Sequence, residues 1–269
     1  MFLSMLLIDV GRNPDRPRPG RLWLRNLYCV HQRLCMAFPS KDRAGDDPAF
    51  LKPYDPAHFP EDRFWADQKP SDVAADALRH IHAKRDHNAG FLFRVDLQPG
   101  GRAVILVLSA LEPDWEYAFH NARHLLASPP QTKPFSPAVA RGQRLRFRLL
   151  ANAVFRARRQ SVHRSGQPMQ EKWVGKRIGV GGDEKSLRNW IERRGNAAGF
   201  SVAELTLLQP GYVLVHKPNP RGQAVRLRSV RYEGILRVTD AARFLTAIAA
   251  GIGPAKAFGF GLLSLAPLE

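Results

Sequence analysis

Two residues near the start of the sequence have side chains suited to proton transfer. Tyr28 and His31 lie three positions apart, and on a helix this spacing places both side chains on neighbouring parts of one face. Imidazole has an ordinary pKa of about 6.5, so a histidine can accept or donate a proton near neutrality. A phenol beside it can orient the same substrate or donate to it. The pair is a candidate catalytic site, although a lone histidine is more often structural.

The charge of the chain indicates what such a site would act on. The 269 residues include 41 Lys and Arg against 24 Asp and Glu, a formal net charge of +17. A protein this basic usually binds a polyanion, most often nucleic acid and less often an acidic membrane surface. Residues 141–194 contain fifteen Lys or Arg, four Asp or Glu and several glycines. A basic loop that becomes ordered on its partner is typical of proteins that bind structured RNA; the alternative is a solvated basic face.

Two further segments carry candidate binding residues. Three arginines alternate with Leu145, Phe147 and Leu149, and the period of two places all three guanidinium groups on one face of a strand. A glycine-rich segment near the C-terminus would let a phosphate approach main-chain N–H groups, although a tight structural connection explains such a segment equally well. The candidates are Arg144, Arg146 and Arg148 in the strand, and Gly251, Gly253, Lys256, Gly259 and Gly261 in the glycine-rich segment.

The order of predicted elements indicates an α+β protein made of two ferredoxin-like halves. Each half has antiparallel strands with helices on one face, in the order β-α-β-β-α-β, the second helix of the first half being short or irregular. The predicted domains are 1–140, with a long surface insertion near 39–89, and 141–269. In the first half the predicted elements are strand 2–9, loop 11–20, a helix with Asn26 as its N-cap that Pro39 ends, helix 71–86, and strands 91–95 and 103–108, the latter central. In the second half they are strand 144–155, helix 183–195, strands 211–217 and 224–238, a helix capped by Asp240 that ends at Gly251, and strand 262–265. The helix capped by Asp240 is predicted to turn Ala241, Phe244, Leu245 and Ile248 inward.

The sequence gives little support for a nucleotide-binding loop, a metal site, a disulfide or a membrane span. Residues 179–186 imitate a phosphate loop, but Glu184 stands where the motif needs a glycine before Lys185. The histidines of 80–87 and 120–124 have neither cysteines nor a metalloprotease-like carboxylate nearby, so we expect no metal and no cofactor. The six-residue separation of Cys29 and Cys35 on one helix argues against a disulfide and for a reducing, cytoplasmic location. No apolar run reaches the eighteen or so residues of a membrane span, and residues 1–8 fit a buried strand better than a signal peptide.

Three stretches of the sequence resemble one protein family. The first helix reads NLYCVHQRL from Asn26 and then AFP from Ala37; the C-terminal part reads YEG from Tyr232 and then GIGPAKAFGFGLLS from Gly251. Both are similar to motifs of the CasE family, the repeat-processing endoribonucleases of type I-E CRISPR systems. The stretch from Arg146 to Asn152 resembles the strand that opens the second half of that family's fold.

The resemblance implies a tandem ferredoxin-like fold and metal-independent cleavage of CRISPR repeat RNA at the base of its stem-loop. It assigns the principal catalytic role to His31, beside Tyr28. It further implies that the protein is a monomer when free, stays on the 3′ hairpin of the mature crRNA and joins other Cascade subunits. The residues expected to grip the stem are Arg156, Arg158, Arg159, Lys172, Lys176 and Arg177.

The sequence leaves the role of the histidine and two other functions open. In attack by the 2′-hydroxyl, His31 can serve as general base or as general acid. A binding-only protein of the same fold would use the basic loop as a platform for structured RNA without cutting it. A ribosomal or DNA-packaging role would predict no preference for hairpin RNA over random duplex.

Overall fold

A computed structural model describes residues 1–13, 18–39, 89–158, 170–216 and 224–268. They form two compact units, Met1–Ser136 (unit 1) and Pro137–Glu269 (unit 2). The predicted helix 71–86, most of the predicted insertion, the histidines of 80–87 and the candidate Arg159 lie outside the described residues.

Unit 1 contains a four-stranded antiparallel sheet. Its strand order is β2-β3-β1-β4, the order of a ferredoxin-like fold. The predicted first strand, the hairpin and the central position of its second strand are confirmed. The elements are β1 (Phe2–Asp9), α1 (Pro19–Leu24), α2 (Leu27–Cys35), β2 (Phe91–Gln98), β3 (Arg102–Ser109), α3 (Trp115–Phe119), a 3₁₀ turn (Arg123–Leu125) and β4 (Gln131–Pro134).

The helices of unit 1 pack on one face of this sheet. Val30 and Leu34 of α2 are fully buried against inward-facing strand residues such as Ile8 and Ile105. Alternate residues of a strand point to opposite faces, whereas helix residues four apart share one face. The apolar pattern of the sequence therefore fixes which side of α2 faces the core.

The structure corrects the prediction for residues 11–39 in two places. The predicted loop 11–20 is replaced at its end by a short helix, α1, that begins at Pro19. Proline is favourable at the first position of a helix, because the N–H that proline lacks would have no partner there. The helix that begins after Asn26 ends at Cys35 rather than at Pro39. After Cys35 the chain continues as a turn with hydrogen bonds between residues three apart, such as the bond from Phe38 N–H to the Cys35 carbonyl (3.2 Å).

Unit 2 has the same strand order as unit 1, here β10-β5-β9-β8, and all its neighbours are antiparallel. The predicted repetition of the ferredoxin-like fold is confirmed. A small two-stranded sheet of β6 and β7 is inserted between the first strand and the first helix. The elements are β5 (Arg144–Ala151), β6 (Val154–Arg156), a 3₁₀ turn (Glu171–Trp173), β7 (Arg177–Gly179), α4 (Glu184–Ala197), β8 (Phe200–His216), β9 (Ala224–Val238), α5 (Ala241–Ala250), a second 3₁₀ turn (Lys256–Phe258) and β10 (Leu263–Pro267).

Three predictions for unit 2 were wrong in detail. The strand expected over 144–155 is interrupted at Asn152 and Ala153, because β6 leaves the main sheet to pair with β7. Strand β8 begins at Phe200 rather than at residue 211, because it pairs with β9 from Phe200 onward, with two shifts of register along the way. Leu245 of α5 is exposed, whereas Phe244 and Ile248, four residues apart, carry the buried face of this short helix.

Candidate active site and nucleic-acid interface

The candidate catalytic pair lies in the first turns of α2. The side chain of Asn26 accepts a hydrogen bond from the Tyr28 backbone N–H (3.2 Å) and so caps the helix, as predicted. An N-cap satisfies one of the amide groups that lack a partner within the helix. The position of Tyr28 and His31 in the helix is therefore set by a local sequence signal.

The His31 imidazole is half-buried and packs against aromatic side chains of β2. Its ring centroid lies 5.3 Å from that of Phe91 and 6.3 Å from that of Phe93, with interplanar angles of 31° and 17°. The Nε2 atom lies 3.6 Å from Sγ of Cys35, one turn further along α2. These contacts restrict the ring and its Nδ1 atom is buried, while the residue as a whole stays partly exposed. Partial exposure suits a group that exchanges protons with a bound substrate.

Arg33 attaches α2 to the α3 region of unit 1. Its guanidinium Nη1 donates to the Ala118 carbonyl (3.0 Å) and to Oδ1 of Asn121 (2.8 Å). Burial lowers the pKa of Arg33 to about 10, because removing a cation from water disfavours the charged form. The two hydrogen bonds offset part of this cost and fix the helix that carries His31.

The arginines of β5 lie on one face of the strand, as the alternation predicts. Arg144 and Arg146 are exposed and Arg148 is partly exposed, while the intervening apolar residues are buried. Two of the three already contact acids: Arg144 pairs with Glu204 on β8 (3.1 Å) and Arg148 with Glu233 on β9 (2.7 Å). A polyanion would have to compete with these carboxylates, so the structure favours Arg146 as the β5 arginine most open to a phosphate.

Most of the predicted stem-gripping residues lie on the β6–β7 element. Arg156 stands opposite Arg177 in the strand pairing, and its Nε donates to the Gly175 carbonyl (3.0 Å). Arg158, Lys172, Lys176 and Arg177 are also exposed on this element or its flanks. The structure thus brings five of the six predicted residues together on one small hairpin, and the sixth, Arg159, is outside the described residues.

A groove of about 1200 Å³ in unit 2 is lined by the β6–β7 element, α4 and the β8–β9 hairpin. Three of its arginines are Arg177, Arg193 and Arg226. The guanidinium carbon of Arg226 lies 3.6 Å from the ring centroid of Tyr212, and Arg228 donates to the Val180 carbonyl. Arginines that line one groove repel each other unless an anion lies between them, so this groove fits a phosphate backbone.

The guanidinium groups of this region are close enough to perturb one another. Burial lowers the pKa of Arg194, and the nearby charges of Arg193 and Arg177 lower it further. A cluster of this kind costs free energy in the unbound protein. Binding of a polyanion would remove that cost.

The groove contains binding candidates that the sequence analysis did not single out. Arg193, Arg226, Arg228 and Tyr212 line it together with the predicted Arg177. A signal was present for two of them, since Arg226 and Arg228 alternate with apolar residues just as the arginines of β5 do. Nothing in the sequence places α4 beside the hairpin.

The glycine-rich segment forms a tight connection that borders the same groove. Gly251, Gly253, Gly259 and Gly261 all have φ between 75° and 89°, a region that side chains with Cβ rarely adopt. The Ile252 N–H donates to the Gly261 carbonyl (2.9 Å), and the Gly261 N–H donates to the Leu150 carbonyl (2.8 Å). Pro254, Ala255 and Phe258, rather than the glycines, line the groove. The structural alternative thus explains these glycines, while phosphate binding by them and by Lys256 stays a prediction.

The described part of the chain holds neither a cluster of metal ligands nor a membrane-spanning helix. No group of three or more His, Cys, Asp or Glu residues there could hold a metal ion. Within the same residues, no helix combines the length and apolar character needed to cross a membrane.

Comparison with known proteins places this fold and its motifs in a family. The sequence model of a family described as CRISPR-associated protein matches residues 1–267. Cse3 of Thermus thermophilus, a CRISPR-associated endoribonuclease, is 35% identical over 173 residues, which are 61% of this chain and 73% of that protein. CasE of Escherichia coli, a subunit of the CRISPR system Cascade, is 26% identical over 272 residues and the whole of both chains.

The similarity extends to three dimensions. A solved structure of the CRISPR endoribonuclease Cse3 bound to a 19 nt RNA matches with a TM-score of 0.65 and 28% identity. The match covers 99% of this chain and 100% of that one. Both units are therefore included in the similarity.

Proposed function

Because the chain belongs to the family of CRISPR-associated proteins that includes Cse3 and CasE, we propose that it is an endoribonuclease that cuts CRISPR repeat RNA at the base of its stem-loop. The family was named correctly from the sequence. The observation that supports catalysis most directly is the half-buried His31 ring, held on the aromatic face of β2. A histidine sealed in the core could not reach a substrate.

The proposed reaction is an internal phosphoryl transfer. The 2′-hydroxyl next to the scissile phosphate loses its proton, and its oxygen attacks phosphorus in line. The bond from phosphorus to the 5′-oxygen breaks, and that oxygen takes up a proton. The products are a 2′,3′-cyclic phosphate and a 5′-hydroxyl. Since the RNA supplies the nucleophile, the scheme needs no metal-bound water.

His31 transfers one of the two protons, as base to the 2′-hydroxyl or as acid to the leaving oxygen. Tyr28 orients the 2′-oxygen or donates to a phosphate oxygen. General acid–base catalysis of this kind contributes about 10²- to 10⁴-fold to the rate. Arginines and lysines add electrostatic stabilisation where charge develops on the phosphate.

Cleavage assays in EDTA test the scheme. The wild type is expected to cut a repeat hairpin RNA and to leave uncut, but bound, the same RNA with a 2′-deoxy nucleotide at the cleavage site. His31→Ala should bind with unchanged Kd and cleave about 10²- to 10⁴-fold more slowly. His120→Ala, an exposed histidine of the same unit, is the matched control.

Each contrary result has a distinct meaning. Cleavage of the deoxy substrate would exclude attack by the 2′-hydroxyl. Normal cleavage by His31→Ala would move the catalytic site elsewhere. Binding without any product would favour the binding-only protein. Equal affinity for the repeat hairpin and for random duplex would favour a ribosomal or DNA-packaging role.

We also propose that the protein retains its product as a Cascade subunit. The arginines that line the unit 2 groove, among them Arg177, Arg193 and Arg226, support long residence on the 3′ hairpin of the crRNA, because release would leave these like charges close together without an anion between them. Co-purification of the cleaved hairpin, and then of the other Cascade subunits, tests this directly. A product that dissociates faster than the next substrate binds would contradict it.

A further inference from the structure

Trp173 is an exposed indole that the cleavage reaction leaves without a role. It is 42% exposed, whereas Trp115 and Trp190 are 7% and 1% exposed. Aromatic side chains gain more from burial than most others. An indole displayed to solvent on a binding element therefore suggests a ligand that covers it.

The ring is carried by a well-defined turn. The Trp173 N–H donates to the Gln170 carbonyl (2.9 Å), and the Lys176 N–H donates to the Trp173 carbonyl (3.0 Å). Two further bonds, Gly175 N–H to the Ala157 carbonyl and Ala157 N–H to the Lys176 carbonyl (both 2.9 Å), join the turn to the chain that follows β6. The backbone that presents the indole is thus fixed before any ligand binds.

The surroundings of the ring are cationic. Nζ of Lys176 lies 5.3 Å and Nζ of Lys172 5.9 Å from the ring centroid, within cation–π range. Arg156, Arg158 and Arg177 are exposed on the same element. Among its described residues, 154–158 and 170–179, Glu171 is the only acidic residue. Both lysine ammonium groups lie over the indole ring, so a base that stacks there would displace them towards its own flanking phosphates. A flat apolar surface with two long flexible cations matches a nucleobase flanked by phosphates.

The chemistry of stacking selects an unpaired base. A base inside a continuous helix is already stacked on both faces, so inserting an indole there would require unstacking of the duplex. A base in a loop or a single-stranded flank has a free face, and its stacking on an aromatic ring tolerates any sequence. Sequence-specific RNA recognition also favours such unpaired positions.

We propose that Trp173 is a stacking platform for one unpaired base of the RNA, in the loop or the flank of the hairpin, with Lys172 and Lys176 at the adjacent phosphates. This inference rests on the proposed function, because it requires an RNA ligand. It adds recognition of an unpaired base to the contacts that the proposed function assigns to the stem.

The test uses hairpin RNAs whose unpaired adenosines are replaced one at a time by 2-aminopurine, a base that loses fluorescence when it stacks. The wild type should quench one position, Trp173→Ala should not, and Trp173→Phe should retain part of the effect. Because Trp173→Ala removes the aromatic ring on which the base stacks, it should lower the affinity for the hairpin RNA by about 5- to 150-fold. Leu97→Ala, which removes a 76% exposed apolar side chain in unit 1, is the control.

The loss should vanish when the quenched position is made abasic, because the variant and the wild type then lack the same contact. An unchanged affinity of Trp173→Ala, or an equal loss on a blunt duplex with no unpaired base, would overturn the inference and leave the proposed function intact. Normal RNA binding with impaired assembly into Cascade would assign the indole to a protein partner and also overturn it. Failure of the wild type to bind any hairpin would overturn both.

Discussion

Removing two guanidinium groups from the unit 2 groove tests whether it binds the RNA backbone. Arg177 and Arg193 come from different elements, line the same groove and both lower the pKa of Arg194. Each lysine or arginine that neutralises a phosphate of a duplex contributes about 0.9 to the slope of log affinity against log salt. The double variant Arg177→Gln, Arg193→Gln should therefore reduce the steepness of that slope by about 1.8.

The expected magnitude is large enough to measure by titration. Between about 50 and 200 mM KCl, a slope difference of 1.8 corresponds to a change of about 12-fold in the ratio of wild-type to variant affinity, with the largest difference at low salt. Fluorescence anisotropy of a labelled hairpin RNA at four or five salt concentrations gives both slopes. Arg102→Gln with Arg123→Gln, two exposed arginines of unit 1, makes the same change in net charge.

Protein stability separates lost contacts from unfolding. The two arginines add to the repulsion felt by Arg194, so their removal should leave the Tm of unit 2 unchanged or slightly higher. Parallel salt plots for the wild type and the groove variant would refute the assignment of this groove to the RNA backbone. Equal changes of slope in the groove variant and in the unit 1 control would show that net charge alone causes the change.

Two other predictions concern the helix that carries His31. Asn26→Ala removes the N-cap of α2 and should lower the free energy of unfolding by about 1 kcal/mol. It should also reduce cleavage, because the Asn26 side chain accepts the Tyr28 N–H and so holds the turn that carries Tyr28 and His31. Urea unfolding and single-turnover rates measure the two effects, and unchanged values would contradict the capping role. Burial raises the pKa of Cys29, and only the thiolate is alkylated, so at about pH 8 iodoacetamide should modify Cys29 more slowly than free cysteine. The alkylation rate of Cys29, followed by mass spectrometry, should still rise with pH where the rate of free cysteine has levelled off. A plateau at a lower pH than that of free cysteine would show that burial does not protect this thiol.

Much of the fold was predictable because its signals are local. The alternation of Arg144, Arg146 and Arg148 with apolar residues predicted a strand with one charged and one buried face. The cap at Asp240 and the end at Gly251 fixed α5 within a residue. The predictions failed where pairing with a distant part of the chain extended an element, as in β8, which was predicted only from residue 211 but pairs with β9 from Phe200 onward.

The candidate site was predictable only in part. The sequence singled out His31 and Tyr28 by residue type and spacing, and the cap at Asn26 by its position before the helix. It could not show that Phe91, sixty positions further along the chain, packs against the imidazole. It also treated the three arginines of β5 alike, whereas pairing with β8 and β9 places Glu204 and Glu233 beside two of them.

The amino-acid sequence alone determined the charge of this protein, the positions of most strands and helices and the residue types available for chemistry, because each depends on neighbours along the chain. Only the tertiary structure decided which of those residues share a surface. Arg177, Arg193 and Arg226 meet in one groove because a hairpin, a helix and a strand pair converge there. Long-range pairing and packing set that convergence, and no local pattern of residues encodes it.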